Sequence, residues 1–175
     1  MNGLILRRAS LNDSDFAYGA RKAAFKEYVE EIEGWDEAMQ RRLHEERFVR
    51  QDFRVISVAG TDVGVMAIAV TPDCVKLNQL FLLPEHQGKD IGRRCMMRIM
   101  VEARELGLPV CLRVLKVNPR ARAFYERLGF VRAGDTETHD LLQWNSQRAP
   151  AGRALTRAAD ARAVDTEPSE SNRRE

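Results

Sequence analysis

Runs rich in apolar and β-branched residues at 4–9, 53–58, 63–70, 75–83, 110–117, 130–133 and 137–144 predict strands. Elsewhere the apolar spacing lengthens to three and four. That rhythm predicts helices over 16–32 and 36–48, separated by Gly34, a third from Ile91 to Gly107, and a short fourth from Pro119. Ser10-Leu11-Asn12-Asp13 offers caps for the first helix, and Ala59-Gly60-Thr61-Asp62 has the composition of a hairpin turn. Asn118 directly before Pro119 is a cap residue followed by proline at the first helical position, with Phe124 and Leu128 as the expected buried stripe. The order of elements predicts a mixed α/β fold.

The most informative stretch is the junction before the third helix. The strand ending Leu80-Phe81-Leu82-Leu83 stops at Pro84, which has no backbone N–H to extend a ladder. A polar turn with Gly88 follows, and then Ile91, Cys95, Ile99, Ala103 and Leu106 mark the apolar side of a helix whose other side carries Arg93, Arg94, Arg98, Glu102 and Glu105. A helix starting just after a glycine-bearing turn presents unpaired N–H groups at its positive end, a natural place for a phosphate. Gly88 and Gly92 allow close approach to the backbone, and Lys89, Arg93 and Arg94 add charge. Plain strand–turn–helix connections share this spacing. Neither the dinucleotide fingerprint nor the phosphate loop of nucleotide hydrolases is present.

Composition narrows the function classes. A net charge of +2 with 31% charged residues of both signs gives no general argument for nucleic acid or a membrane, and no stretch approaches the length of a membrane span. The N-terminus lacks the apolar run of a signal peptide, so the expectation is a cytoplasmic protein. Cys74, Cys95 and Cys111 are isolated, without metal-ligand spacing, and read as buried thiols; no metal is expected. The expected organisation is one domain over 1–146 and a disordered charged tail over 147–175, where Leu155 and Val164 are the only large apolar residues. Arg148, Arg153, Arg157 and Arg162 would share a face if that tail became helical on a partner.

At the junction the sequence resembles the GNAT superfamily of acetyl-CoA-dependent N-acyltransferases, whose pyrophosphate loop reads Gln/Arg-x-x-Gly-x-Gly/Ala. Gln87, Gly88, Ile91 and Gly92 match, whereas Asp90 stands where the middle glycine is expected, and a carboxylate beside a pyrophosphate is electrostatically unfavourable. A second landmark lies downstream: Asn118 followed by Tyr125-Glu126-Arg127-Leu128-Gly129-Phe130 is similar to the family's strand-to-helix Asn and its closing motif. The similarity covers residues 4–144. It implies a GNAT-type central sheet of six to seven strands, splayed between the fourth and fifth, with about four helices.

The resemblance also implies the chemistry: attack of a primary amine of a small molecule, peptide or protein on the thioester of acetyl-CoA, with no acyl-enzyme and no metal. Pyrophosphate would lie on the amides of Gly88, Lys89, Asp90, Ile91, Gly92 and Arg93 beside Gln87. Backbone groups of Leu80, Phe81 and Leu82 would pair with the pantetheine arm, and Asn118 would contact the cofactor, although capping alone accounts for it. Tyr125 would protonate the departing thiolate, or else is an aromatic packed beside Phe124. The positions where some relatives carry a glutamate base are Lys76 and Arg113; Glu31, His139, Asp140 or a water chain remain for that task. Lys76, Arg113 and Lys116 would suit an acceptor bearing a carboxylate. Phe25, Tyr28, Glu31, Trp35 and His44, on the two helices that flank the acceptor site in the family, are places for substrate contacts or simply packing. The fold is compatible with a homodimer. The alternative function is an acyl-CoA-binding sensor or interaction module that keeps the fold without turnover.

Overall fold

The computed structural model describes residues 3–146, so the tail expected over 147–175 lies outside the described residues. Seven strands form one sheet: β1 (Leu4–Arg8), β2 (Asp52–Val58), β3 (Thr61–Val70), β4 (Val75–Leu82), β5 (Val110–Leu115), β6 (Val131–Asp135) and β7 (His139–Trp144). Their order is β1-β2-β3-β4-β5-β7-β6. All neighbours are antiparallel except β4 and β5, the parallel pair. The mixed sheet, its opening between the fourth and fifth strands and the four helices are those expected from the sequence.

The helices are α1 (Ser14–Ile32), α2 (Glu37–Arg50), α3 (Ile91–Glu105) and α4 (Pro119–Arg127). Local chemistry explains their ends. Asp36 caps α2 by accepting from the Met39 N–H at 2.8 Å, and Asn118 caps α4 by accepting from the Ala121 N–H at 2.9 Å. At the end of α3 the Leu108 N–H reaches Ala103 O and the Gly107 N–H reaches Arg104 O, with Gly107 at φ 69°. This is the paired left-handed stop that only glycine adopts cheaply. The β2–β3 turn places Ala59 and Gly60 at φ 51° and 83°, the left-handed pair a two-residue hairpin needs.

Each face of the sheet has its own core. On one side α3 and α4 bury Ile91, Cys95, Met96, Ile99 and Tyr125 against Ile56, Met66, Leu77, Leu112 and Leu142. On the other, α1 and α2 bury Ala17, Ala20 and Phe48 against Phe53, Val55, Val65 and Ala67. Three expectations need correction. Leu106 is 55% exposed, because α3 ends one residue earlier and Met96 and Met100 complete the buried stripe instead. In α4 the buried position belongs to Tyr125, while Phe124 and Leu128 flank it half-buried. Of the cysteines only Cys95 is buried. Among the described residues no helix is long and apolar enough to cross a membrane.

Candidate active site

The site begins where the sheet comes apart. β4 and β5 pair only through Val75–Val110, Lys76–Cys111 and Leu77–Leu112. Beyond these pairs β4 stays with β3 as far as Leu82 and β5 stays with β7 as far as Leu115. A bulge accompanies the divergence: Ala67 pairs with Gln79 and Ile68 with Leu77, so Asn78 is the extra residue. A bulge bends and twists its strand, and here it also shifts the alternation. Leu77, Leu80 and Leu82 all face the α3 side, and Phe81 faces α1.

Backbone direction along β4 follows from the ladder. The Leu83 N–H donates to Val63 O at 3.0 Å, so the Val65–Phe81 pair is hydrogen-bonded and the flanking residues turn the other way. Phe81 therefore directs its N–H and C=O to β3, whereas Leu80 and Leu82 direct theirs to the gap. The Leu82 carbonyl accepts from Gln87 Nε2 at 3.0 Å. Gly64 permits this arrangement, because a Cβ there would stand 2.3 Å from the Phe81 carbonyl oxygen.

The turn after β4 is left-handed at two positions. Gly88 has φ 72° with open space where a Cβ would stand, and Asp90 has φ 62°. The left-handed backbone at Asp90 gives the physical reason a glycine is expected there; aspartate is among the few other residues that adopt it. Its carboxylate does not cap α3 and instead accepts from Arg93 Nε at 2.8 Å. The first N–H groups of α3 are thus free of side-chain caps. Gly92 sits where α3, α4 and β4 converge, its Cβ position 3.4 Å from the Phe124 ring and 3.7 Å from Leu82. Lys89 and Arg93 are exposed beside it. Because β4 and β5 are parallel, α3 and α4 both begin at the same sheet edge, where ligands of such sheets gather.

Tyr125 lies in α4 with its ring 5.0 Å from Phe124 and 5.6 Å from Phe130. Burial pushes its phenol well above the ordinary tyrosine value, so it stays protonated through the neutral range. Burial likewise pushes the thiols of Cys95 and Cys111 up to about 11 and about 12, which leaves neither suited to act as a nucleophile. Asp140 is buried with both oxygens engaged, by Arg122 Nη1 and Arg132 Nε, each at 3.0 Å. Glu31 is exposed near the end of α1, and His139 Nδ1 is 2.8 Å from Thr138 Oγ1. Lys76 is half-buried opposite Cys111, Arg113 is exposed opposite Leu141, and Lys116 is paired with Asp135 at 2.9 Å.

The α1 face of β4 carries an aromatic group. Phe25 packs 5.3 Å from Phe81 and 6.0 Å from Tyr28. Arg21, which sequence reasoning passed over, lies 5.7 Å from the Phe25 ring and 5.5 Å from that of Trp35. Its signal was an arginine at a buried spacing between Ala17, Tyr18 and Ala20. His44 is a core residue, Nε2 3.0 Å from Ser14 O, and burial lowers its pKa.

Comparison with known proteins gives one family and one shared fold. The family model described as "Acetyltransferase (GNAT) family" matches residues 18–130. No curated protein matches the chain by sequence. Among solved structures, the PaiA N-acetyltransferase of Thermoplasma acidophilum in complex with coenzyme A superposes with a TM-score of 0.68 at 18% identity, over 82% of this chain and 99% of that one. An acetyltransferase of Thermus thermophilus gives 0.66 at 19% identity, over 81% and 96%. The ribosomal-protein-S18-alanine N-acetyltransferase of Escherichia coli gives 0.62 at 19% identity, over 89% and 100%. At these identities the likeness is one of fold.

Proposed function

The chain belongs to the GNAT acetyltransferase family, and from that premise we propose that it is an N-acetyltransferase, transferring acetyl from acetyl-CoA to a primary amine by direct attack. The observation that carries this reading is the β4–β5 gap, with strand backbone turned into it and an uncapped helix start at its mouth. That one structural neighbour holds coenzyme A supports the cofactor class. The residues present fit it: the open left-handed turn at Gly88 and the first amides of α3 suit a pyrophosphate, and the Leu80 and Leu82 backbone suits an extended amide-bearing arm. Acetyl-CoA supplies the activated acyl group when bound; the protein orients it and handles the proton.

In this reading the amides of residues 88–93 hold the pyrophosphate while Gln87 braces the turn against Leu82. The Leu80 N–H, facing the gap, polarises the carbonyl. Tyr125, protonated and buried, donates its proton to the departing sulfur. Asn118 fixes the start of α4 and lines the same edge. Asp140 is not the base, since two arginines occupy its oxygens. Without a carboxylate on either splayed strand, an α-amine is the easier acceptor: deprotonating it at pH 7 costs about 1 kcal/mol, against roughly 4–5 for a lysine-type amine. Residues 1–146 form the catalytic unit.

Calorimetric titration with acetyl-CoA, against pantetheine as the control lacking the pyrophosphate, tests binding; thiol release with a panel of amines tests turnover. Micromolar binding that needs the pyrophosphate, with thiol release, is expected. Binding without transfer to any amine would replace the enzyme with an acyl-CoA sensor.

A further inference from the structure

An ion-pair chain joins α4 to the outer edge of the sheet. Glu126 Oε1 accepts from Arg122 Nε at 2.8 Å, Arg122 Nη1 donates to Asp140 Oδ2 at 3.0 Å, and Arg132 Nε donates to Asp140 Oδ1 at 3.0 Å. The chain continues from Arg132 to Asp135 at 2.7 Å and from Asp135 to Lys116 at 2.9 Å. The Lys116 N–H also donates to Thr138 O at 2.9 Å. Lys116 precedes Asn118 by two residues and Arg122 lies on the turn before Tyr125, so the start of α4 is tied on both sides to the β6–β7 hairpin. Asp140 is the centre of this arrangement, with its side chain only 5% exposed and two cations on two different elements.

We propose that Asp140 is a positioning residue: through Arg122 and Arg132 it locks α4 onto the β6–β7 hairpin and so fixes where the Tyr125 hydroxyl stands relative to the β4–β5 gap. The proposal rests on the acetyltransferase reading for what that hydroxyl does. The physical argument is that α4 is short, with Tyr125 its only buried residue. A nine-residue helix has little stability of its own and takes its placement from tertiary contacts. The buried carboxylate supplies a directional one, since each oxygen fixes a different arginine.

Asp140→Asn, which keeps the volume and removes the charge, and Arg122→Met, at the half-exposed end, are compared with wild type. The surroundings of Tyr125 are read at neutral pH from the second-derivative ultraviolet spectrum, each protein paired with its Tyr125→Phe derivative to subtract Tyr18 and Tyr28. The expected result is a Tyr125 band in Asp140→Asn shifted to the shorter wavelength of a solvent-exposed phenol. In acetyl transfer, kcat should fall tenfold or more with acetyl-CoA Kd within threefold, and adding Tyr125→Phe should cost little further. Arg122→Met should follow the same pattern more weakly, and it serves if Asp140→Asn does not fold. A folded variant with an unchanged Tyr125 band, or one whose loss of kcat simply multiplies with that of Tyr125→Phe, overturns the proposal. If wild type transfers acetyl to no amine, the functional reading has failed, and the Tyr125 band alone decides whether Asp140 holds Tyr125.

Discussion

Asp90 is the sharpest test of the proposed anion site, because charge and backbone make separable contributions there. The residue occupies a left-handed conformation, and its ion pair with Arg93 leaves the two side chains 54% and 56% exposed. Such an exposed pair contributes little to stability. A carboxylate about 7 Å from a pyrophosphate of two charges costs about 1.2 kcal/mol in bulk water and roughly half that at physiological salt. Asp90→Asn, which removes the charge and still tolerates the backbone, should therefore bind acetyl-CoA about two- to eightfold more tightly. Freed from Asp90, the Arg93 guanidinium adds to the gain. Asp90→Gly should match Asp90→Asn in affinity, while Asp90→Ala should bind similarly but lose about 1 kcal/mol of stability, a fall in Tm of about 2–4 °C. Calorimetry at low and physiological salt reads the affinities, and the advantage of Asp90→Asn should shrink as salt rises. Equal or weaker binding by Asp90→Asn at low salt would refute the electrostatic reasoning and give Asp90 a positive role in holding the turn.

Three further outcomes follow from the geometry. Tyr125→Phe should lower kcat about 10- to 100-fold with acetyl-CoA Kd unchanged, as expected for loss of a proton donor to a thiolate; stopped-flow thiol release checks this where chemistry limits. Gly64→Ala places a Cβ 2.3 Å from the Phe81 carbonyl, so it should destabilise the domain by more than about 2 kcal/mol in urea titration and disturb the Leu80–Leu82 backbone. The Arg7 guanidinium holds the Asp13 carboxyl well below the usual range, so that pair adds stability above about pH 4 that is lost as pH falls through the folded-state pKa. Asp13→Asn should thus lower stability near pH 7, where the pair is fully formed, and converge on wild type as pH falls, so that the acid side of its stability profile is flatter; urea titrations across about pH 2–7 check this.

Much of this fold was legible because local rules agree with one another. Asn118-Pro119 starts α4, Gly107 stops α3, and Ala59-Gly60 turns β2 into β3, each through backbone preferences that need no tertiary information. The turn before α3 was legible for the same reason. What the sequence concealed depended on partners distant along the chain. Asn78 as a bulge follows from pairing with β3, and period-two reading alone assigns Gln79 to the wrong face. Tyr125 rather than Phe124 is buried because Phe130 lies across its ring. Asp140, a candidate base on its own, becomes a clamp once Arg122 and Arg132 arrive from α4 and β6.

The gap itself is the feature least expected from stability alone. Strand backbone that finds no partner is costly, and native sheets leave few such groups. Here each half of the sheet is complete without the other: β4 is held along its length by β3, and β5 by β7. The three shared pairs at Val75, Lys76 and Leu77 are enough to hinge the halves. The Asn78 bulge lies in the β3–β4 ladder just where β4 leaves β5, and it sets Leu80 and Leu82 toward the α3 core and Phe81 toward Phe25. Leu80, Phe81 and Leu82 are half-buried, so each gains only part of the about 1.5–3 kcal/mol of a fully buried side chain, an amount comparable with the about 0.5–1.5 kcal/mol net of each strand hydrogen bond forgone. The side-chain packing of β4 is thus satisfied with the strands apart; Gln87 pairs the Leu82 carbonyl, and in the proposed reading the Leu80 N–H and C=O and the Leu82 N–H would be paired by an extended amide-bearing ligand between the strands.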